Sequence, residues 1–192
     1  YQKGENQMGI LIRGGRVVDA AAQIDKIADV YLDDGVIQKV GEKLEAKDKD
    51  DKIIDAKGLV VMPGLVDLHV HFRDPGQTEK EDIETGSHAA ARGGVTTVVA
   101  MPNTTPVIDS PDRANYVKNK AAQVSAIHVL QAGAMTKGEL GEELSDIAGM
   151  AAAGVPVLSE DGKSVMKASL CKQAMEEAVK AGLPIFDHCE DM

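Results

Sequence analysis

The sequence predicts an α/β protein, an incomplete (β/α)8 TIM-type barrel limited to its first five strands and preceded by a small β-sandwich-like domain. Three observations predict it. Short apolar runs separated by turns fill Gly9 to Gly64, with no helical period. From Leu65 onward, five strand-like runs alternate strictly with four helical runs, the order of parallel βαβ units. Finally, the polar residues suited to chemistry fall at the C-terminal ends of those strands, the rim where such barrels carry their sites.

Residues 1–8 read as a tag or disordered leader, 9–62 as the small β domain and 63–192 as the barrel portion. In the β domain, Ile10–Ile12 and Val17–Val18 flank Gly14-Gly15. Asp29–Leu32 and Val36–Val40 flank Asp33-Asp34-Gly35, a hairpin signal. Glu42 to Lys52 is a charged run expected as a solvated loop, and Ile53–Asp55 and Leu59–Val61 close the domain.

The barrel portion opens with a strand over Leu65–His71 and a helix over Lys80–Arg92, stopped by Gly93-Gly94. Acidic residues Glu79, Glu81, Asp82 and Glu84 suit that helix start. Val95–Ala100 is a β-branched second strand, and Ser110-Pro111 opens a helix reaching about Gln123. Ala126–Gln131 is the third strand, and Lys137–Ala153 is expected to be largely helical. Gly154–Leu158 is a fourth strand, kept short by its proline. Ser164–Ala181 is the fourth helix and Pro184–His188 the fifth strand. An eight-unit barrel needs about 250 residues, so this chain supplies a little over half. A doubly wound open sheet is the rival, but no Gly-x-Gly-x-x-Gly follows the first strand.

Composition narrows the function classes. The 192 residues are 43% hydrophobic and 27% charged, a globular profile. No run approaches the roughly 20 apolar residues of a membrane span, and no signal-peptide core is present. Two cysteines, Cys171 and Cys189, fit a reducing cytoplasm better than a disulfide scaffold. A net charge of −10 disfavours nucleic acid and anionic membranes as partners.

Alternation puts Asp67, His69 and His71 on one face of the first strand. Two imidazoles at i and i+2 converge on one point, as two ligands of one metal must. Asn103 follows the second strand, Glu160-Asp161-Gly162 the fourth, and His188 ends the fifth. Neutral imidazoles plus a carboxylate suit zinc with positions left open. A carboxylate such as Asp161 has two oxygens and can bridge two metals, which supply a hydroxide nucleophile and polarise an amide carbonyl.

Three motifs then resemble the bacterial dihydroorotases of the amidohydrolase superfamily. They are Asp67-Leu-His-Val-His-Phe-Arg-Asp-Pro-Gly-Gln-Thr-Glu-Lys-Glu-Asp82, Gly93-Gly-Val-Thr-Thr-Val-Val-Ala-Met-Pro-Asn-Thr-Thr-Pro106 and His188-Cys-Glu-Asp191. The resemblance runs from about Met8 to the last residue. It implies a cyclic amidohydrolase interconverting N-carbamoyl-L-aspartate and (S)-dihydroorotate in pyrimidine biosynthesis, with one or two Zn2+ per chain. On that resemblance His69 and His71 bind the first metal, Asp161 bridges with Glu160 as the fallback, and His188 binds the second metal. Arg73 and Asn103 grip the substrate carboxylate, beside His71. A further metal-site histidine and the general acid/base aspartate are expected beyond Met192, which makes these residues an N-terminal portion without turnover of its own. Such a portion leaves the first and fifth strands as open edges.

Other readings are carried forward. Arg73 could instead pair with Asp74 or Glu79. Allantoinase or hydantoinase activity is the rival within the class. A non-catalytic homologue that organises aspartate transcarbamoylase is the rival outside it, and a homo-oligomer is expected. His88 reads as a surface or packing residue and His128 as core. Cys189 is expected to pack behind the site. Met101, Met135, Met150, Met166 and Met175 are expected as core filler.

Overall fold

The computed structural model describes residues 8–189. Tyr1–Gln7 of the expected leader and Glu190-Asp191 of the last motif lie outside the described residues. The chain divides between Pro63 and Gly64 into two compact units.

The first unit is one sheet of β1 (Ile10–Asp19), β2 (Ile24–Asp33), β3 (Val36–Gly41), β4 (Lys52–Asp55) and β5 (Val60–Val61). Its order is β3-β2-β1-β4, with β5 also on β1. The expected sandwich is therefore corrected to a single hydrogen-bonded sheet among the described residues. The reason lies in β1, which merges two expected short strands through a register shift between Ile12 and Gly15. One edge of β1 pairs antiparallel with β2; the other is shared, Ile10–Arg13 with β4 and Arg16–Val17 with β5. Asp29, buried, holds the irregularity: its carboxylate accepts Gly14 N–H at 2.7 Å and Leu44 N–H at 2.9 Å. The β2–β3 turn has positive φ at both Asp34 and Gly35, as a tight hairpin requires. The charged run after β3 is better ordered than a solvated loop. Asp51 there accepts N–H groups of Gly9, Lys47 and Asp48 and the Tyr31 hydroxyl, at 2.8–3.0 Å.

The second unit runs β6 (Leu65–Val70), α1 (Ile83–Arg92), β7 (Val95–Ala100), α2 (Pro111–Val124), β8 (His128–Gln131), β9 (Gly133–Ala134), α3 (Ile147–Ala152), β10 (Leu158–Ser159), α4 (Ala168–Ala181) and β11 (Ile185–Phe186). Strands β6-β7-β8 form one parallel sheet and β9-β10-β11 a second. Only Ala132 separates β8 from β9. Its N–H donates to Ala100 O on β7 at 2.9 Å, and the next, Gly133 N–H, donates to Val157 O at 3.0 Å. The third strand thus hands over from its neighbour on one side to its neighbour on the other. Gln131, buried, sits at that junction, its Nε2 donating to carbonyls of Ala100 and Ala132 at 3.0 and 2.8 Å.

The helices cover the parallel strands through one core containing Ile83, Val98, Ile108, Val117, Met135, Met150, Leu158 and Leu170. α1 begins at Ile83 rather than Lys80 because Asp82 caps it, accepting Thr85 N–H at 2.8 Å. α2 starts with Pro111 at its first position. The largely helical 137–153 segment is corrected to a 3-10 turn, Lys137–Glu139, and the short α3. Positive φ at Gly138, Glu139 and Gly141 breaks the helix, and Asp146 caps a new start by accepting Gly149 N–H at 2.9 Å. Pro156, lacking an N–H, confines the fourth strand to Leu158–Ser159. α4 begins at Ala168 rather than Ser164. His128 opens β8 exposed instead of lying in the core. Met166 and Met175 are exposed, whereas Met101, Met135 and Met150 are buried as expected. Among the described residues no helix is long and apolar enough to cross a membrane.

Candidate metal centre

The first strand brings two imidazoles to one point because its backbone is extended up to Val70, so side chains at i and i+2 share a face. The His69 and His71 rings lie edge to face, their centroids 5.1 Å apart. The ladder continues past β6, Met101 N–H donating to Val70 O at 2.9 Å, and this carries the loop holding Asn103 alongside His71.

Asp161 arrives from β10. Its Oδ1 lies 3.2 Å from His69 Nε2 and its Oδ2 3.6 Å from His71 Nε2. Asp161 is only 5% exposed, against 49% for His69 and 30% for His71, so the cluster has a closed floor and an open mouth. These three residues each offer a donor atom within 4.8 Å of the others. Two imidazole nitrogens and a carboxylate, open on one side, fit a zinc ion with free coordination positions.

Asn103 joins the same cluster. Its Oδ1 is 3.0 Å from His71 Nδ1, and its Nδ2 donates to Asp161 Oδ2 at 2.5 Å. His188 follows β11 one strand further on. Ser159 pairs with Phe186, so Asp161 and His188 each lie two residues beyond a paired position. His188 is half-buried, its carbonyl accepts the Ser164 hydroxyl at 2.8 Å, and it is not among the three mutually close donors.

Arg73 lies in the turn after the first strand, half-buried, with a φ of 58° that non-glycine residues seldom adopt. It makes no ion pair with Asp74 or Glu79 among the described residues. Asp74 is instead buried and accepts the Tyr116 hydroxyl at 2.9 Å. The turn packs on the Asn103 loop, with Thr105 N–H donating to Pro75 O at 3.0 Å. A side chain on Gly76, whose φ is +86°, would strike the Thr105 carbonyl, so this approach requires glycine.

Glu160, the fallback ligand, faces away from the histidines. Its carboxylate accepts N–H groups of Met135 and Thr136 at 2.9 and 3.1 Å and the Thr136 hydroxyl. Burial pushes its carboxyl up, opposed by those hydrogen bonds and by Lys163. Glu139, absent from the expected set, is 4% exposed, and its Oε1 has no hydrogen-bond partner. Burial first, then Glu160, Asp161 and Asp109, push it up to about 8 against the pull of Lys163. No pattern announces it, because it sits inside a segment that reads as helix. Cys189 is exposed rather than packed behind the site, its thiol donating to Asp187 Oδ2 at 3.2 Å. His88 is exposed on α1.

Comparison with known proteins adds to this geometry. Residues 58–192 match the family described as dihydro-orotase-like. The chain is 50% identical over 182 residues to a dihydroorotase of Clostridioides difficile (strain 630) and 43% identical over 182 residues to one of Aquifex aeolicus (strain VF5). Each alignment covers 95% of this chain and 43% of the relative, so the chain spans under half the length of those curated relatives. Among solved structures, an L-hydantoinase (dihydropyrimidinase) from Arthrobacter aurescens is similar with a TM-score of 0.78 at 25% identity, over 96% of this chain and 41% of that one.

Proposed function

The chain belongs to the dihydro-orotase-like family, and on that premise we propose that it carries the first metal-binding half of a dihydroorotase. The reaction is the interconversion of N-carbamoyl-L-aspartate and (S)-dihydroorotate, by hydrolysis or closure of one ring amide. The observation that carries the proposal is the convergence of His69 Nε2 and His71 Nε2 on the two Asp161 oxygens, at 3.2 and 3.6 Å.

In this reading β6 to β11 are the first five strands of an eight-stranded barrel, with β8 and β9 counted as one, and the site lies on its C-terminal rim. Residues 63–192 make up that barrel portion and 9–62 the small β domain. His69, His71 and Asp161 would hold one zinc ion, and Asp161 with His188 a second. Zinc there supplies Lewis-acid polarisation of the amide carbonyl and activation of water at neutral pH.

The chain's own groups do the rest. Arg73 stays charged at any working pH and offers a two-pronged donor matched to the substrate carboxylate. The rival pairing with Asp74 or Glu79 is not formed among the described residues, which leaves the guanidinium for that role. Asn103 lies on the loop packed against the Arg73 turn and holds one amide hydrogen in reserve for the same carboxylate. The proton for the leaving amide nitrogen would come from an aspartate on a later strand. The whole protein is proposed to act as a homo-oligomer in the cytoplasm, with aspartate transcarbamoylase as a candidate partner.

The test is a side-by-side assay of the protein from its natural source on dihydroorotate, hydantoin and allantoin, before and after chelation and zinc return. Turnover of dihydroorotate that is lost on chelation and regained with zinc supports the reading. Faster turnover of allantoin or hydantoin would move the substrate to the rival cyclic amides. Absence of bound zinc would favour the non-catalytic homologue.

A further inference from the structure

We infer that Asn103 is a positioning residue of the metal centre: its side-chain amide fixes the His71 tautomer and the Asp161 carboxylate together. The inference rests on the metal reading above and concerns how the ligands are held, not which they are.

The hydrogen-bond chemistry leaves one arrangement. An ionised carboxylate only accepts, so the Asn103 group facing Asp161 Oδ2 is the donating Nδ2, at 2.5 Å. The amide oxygen is then the group facing His71 Nδ1, at 3.0 Å. An amide oxygen only accepts, so His71 Nδ1 carries the proton. In a neutral imidazole the other nitrogen then bears the lone pair. That nitrogen, Nε2, is the one lying 3.6 Å from Asp161. Asn103 therefore keeps the His71 lone pair on the metal side of the ring, as outer-sphere partners of ligating histidines do.

The same amide sets the carboxylate. With Asp161 Oδ2 engaged by Nδ2, Oδ1 is the oxygen turned to His69, at 3.2 Å. Few side chains could replace it. Aspartate has no donor for Asp161, alanine has neither group, and a hydroxyl is a single atom unable to span both partners. Asn103 occupies its place because Met101 extends the ladder from Val70, which sets the loop beside His71.

Zinc affinity, measured by competition with a chromophoric chelator, separates this role from substrate binding alone. The unmodified protein is compared with Asn103→Ala, Asn103→Asp and Arg73→Lys. Asn103→Ala should weaken zinc binding by about tenfold to a hundredfold. Arg73→Lys should leave zinc affinity unchanged. Asn103→Asp keeps the shape and the His71 acceptor but sets an anion against Asp161, so it carries the test should the alanine variant fail to fold. Nitrogen NMR of the metal-free protein should show His71 with its proton on Nδ1, and a loss of that preference in Asn103→Ala. Zinc binding in the unmodified protein, with undiminished affinity in both Asn103 variants, would overturn the inference and leave the metal reading standing. No zinc binding by the unmodified protein would overturn both.

Discussion

Glu160 and Asp161 are adjacent in the chain, 1% and 5% exposed, and face opposite ways. Glu160 ties the end of β10 to the backbone of Met135 and Thr136, while Asp161 reaches the two histidines. One carboxylate is engaged by backbone amides, and the other faces the imidazoles and, on the metal reading proposed above, holds the cation. Glu160→Gln should therefore cost about 1–3 kcal/mol of stability through a mismatched buried acceptor, read from the denaturation midpoint. Asp161→Asn should instead abolish zinc uptake, read by metal titration, with a smaller loss of stability.

Glu139 predicts a pH dependence of folding. Its carboxyl is raised from an ordinary value near 4.5 to about 8, so between those limits the folded state holds a proton that the unfolded state has lost. Stability must then fall as pH rises through this window, by at most about 1.4 kcal/mol per pH unit from this group. Glu139→Gln should flatten that slope and leave the protein more stable than its parent at pH 8. Urea unfolding of metal-free protein at pH 5, 6.5 and 8 measures it.

Arg73 should act on substrate and not on fold. On the function proposed above, Arg73→Ala in the whole protein is expected to raise KM for dihydroorotate by about 30-fold to 150-fold, the loss of a charge-assisted pair worth about 2–3 kcal/mol. Lysine at that position should recover part of it. Unchanged KM in both variants would remove Arg73 from the site.

Gly76→Ala tests the packing of the loops that follow β6 and β7. The new methyl meets the Thr105 carbonyl and the backbone must keep a φ of +86°. Both effects destabilise, together by about 2 kcal/mol or more. Thermal unfolding should show the loss, and in the whole protein, on the function proposed above, KM should rise because the Arg73 turn leaves the Asn103 loop.

Much of this was legible because it depends on short-range rules. Alternation along an extended strand puts His69 and His71 on one face whatever surrounds them, and the proline at Pro111 marks a helix start locally; the Asp82 cap, which moves the start of α1 from Lys80 to Ile83, does not stand out among its acidic neighbours. What was not legible depends on distant partners. The 137–153 segment has helix-forming residues, yet Thr136 is claimed by Glu160 just after β10, Ser145 by the Ala134 carbonyl on β9, and Glu139 by burial. Asp161 could be preferred over Glu160 only by its place beside glycine; which carboxylate turns to the histidines is set by the Met135 and Thr136 amides that hold Glu160, 25 and 24 residues away. The single sheet of the first unit likewise follows from β1 pairing with three other strands, which no local pattern encodes.

The hand-over of the third strand at Ala132 bears on how this lineage can change length. His128–Gln131 pair with Thr97–Ala100 of β7 and Gly133–Ala134 with Leu158–Ser159 of β10, and neighbouring side chains alternate faces. Losing or gaining one residue there would turn Gln131 out of its junction and shift every later position by one face. Insertions at 138–142, the tip of the loop closed by the Thr136–Leu144 bridge, meet no strand pairing among the described residues. Homologues should therefore vary in length at the rim while keeping that seven-residue stretch at constant length, and a deletion scan across 128–146 would trace the boundary between the two.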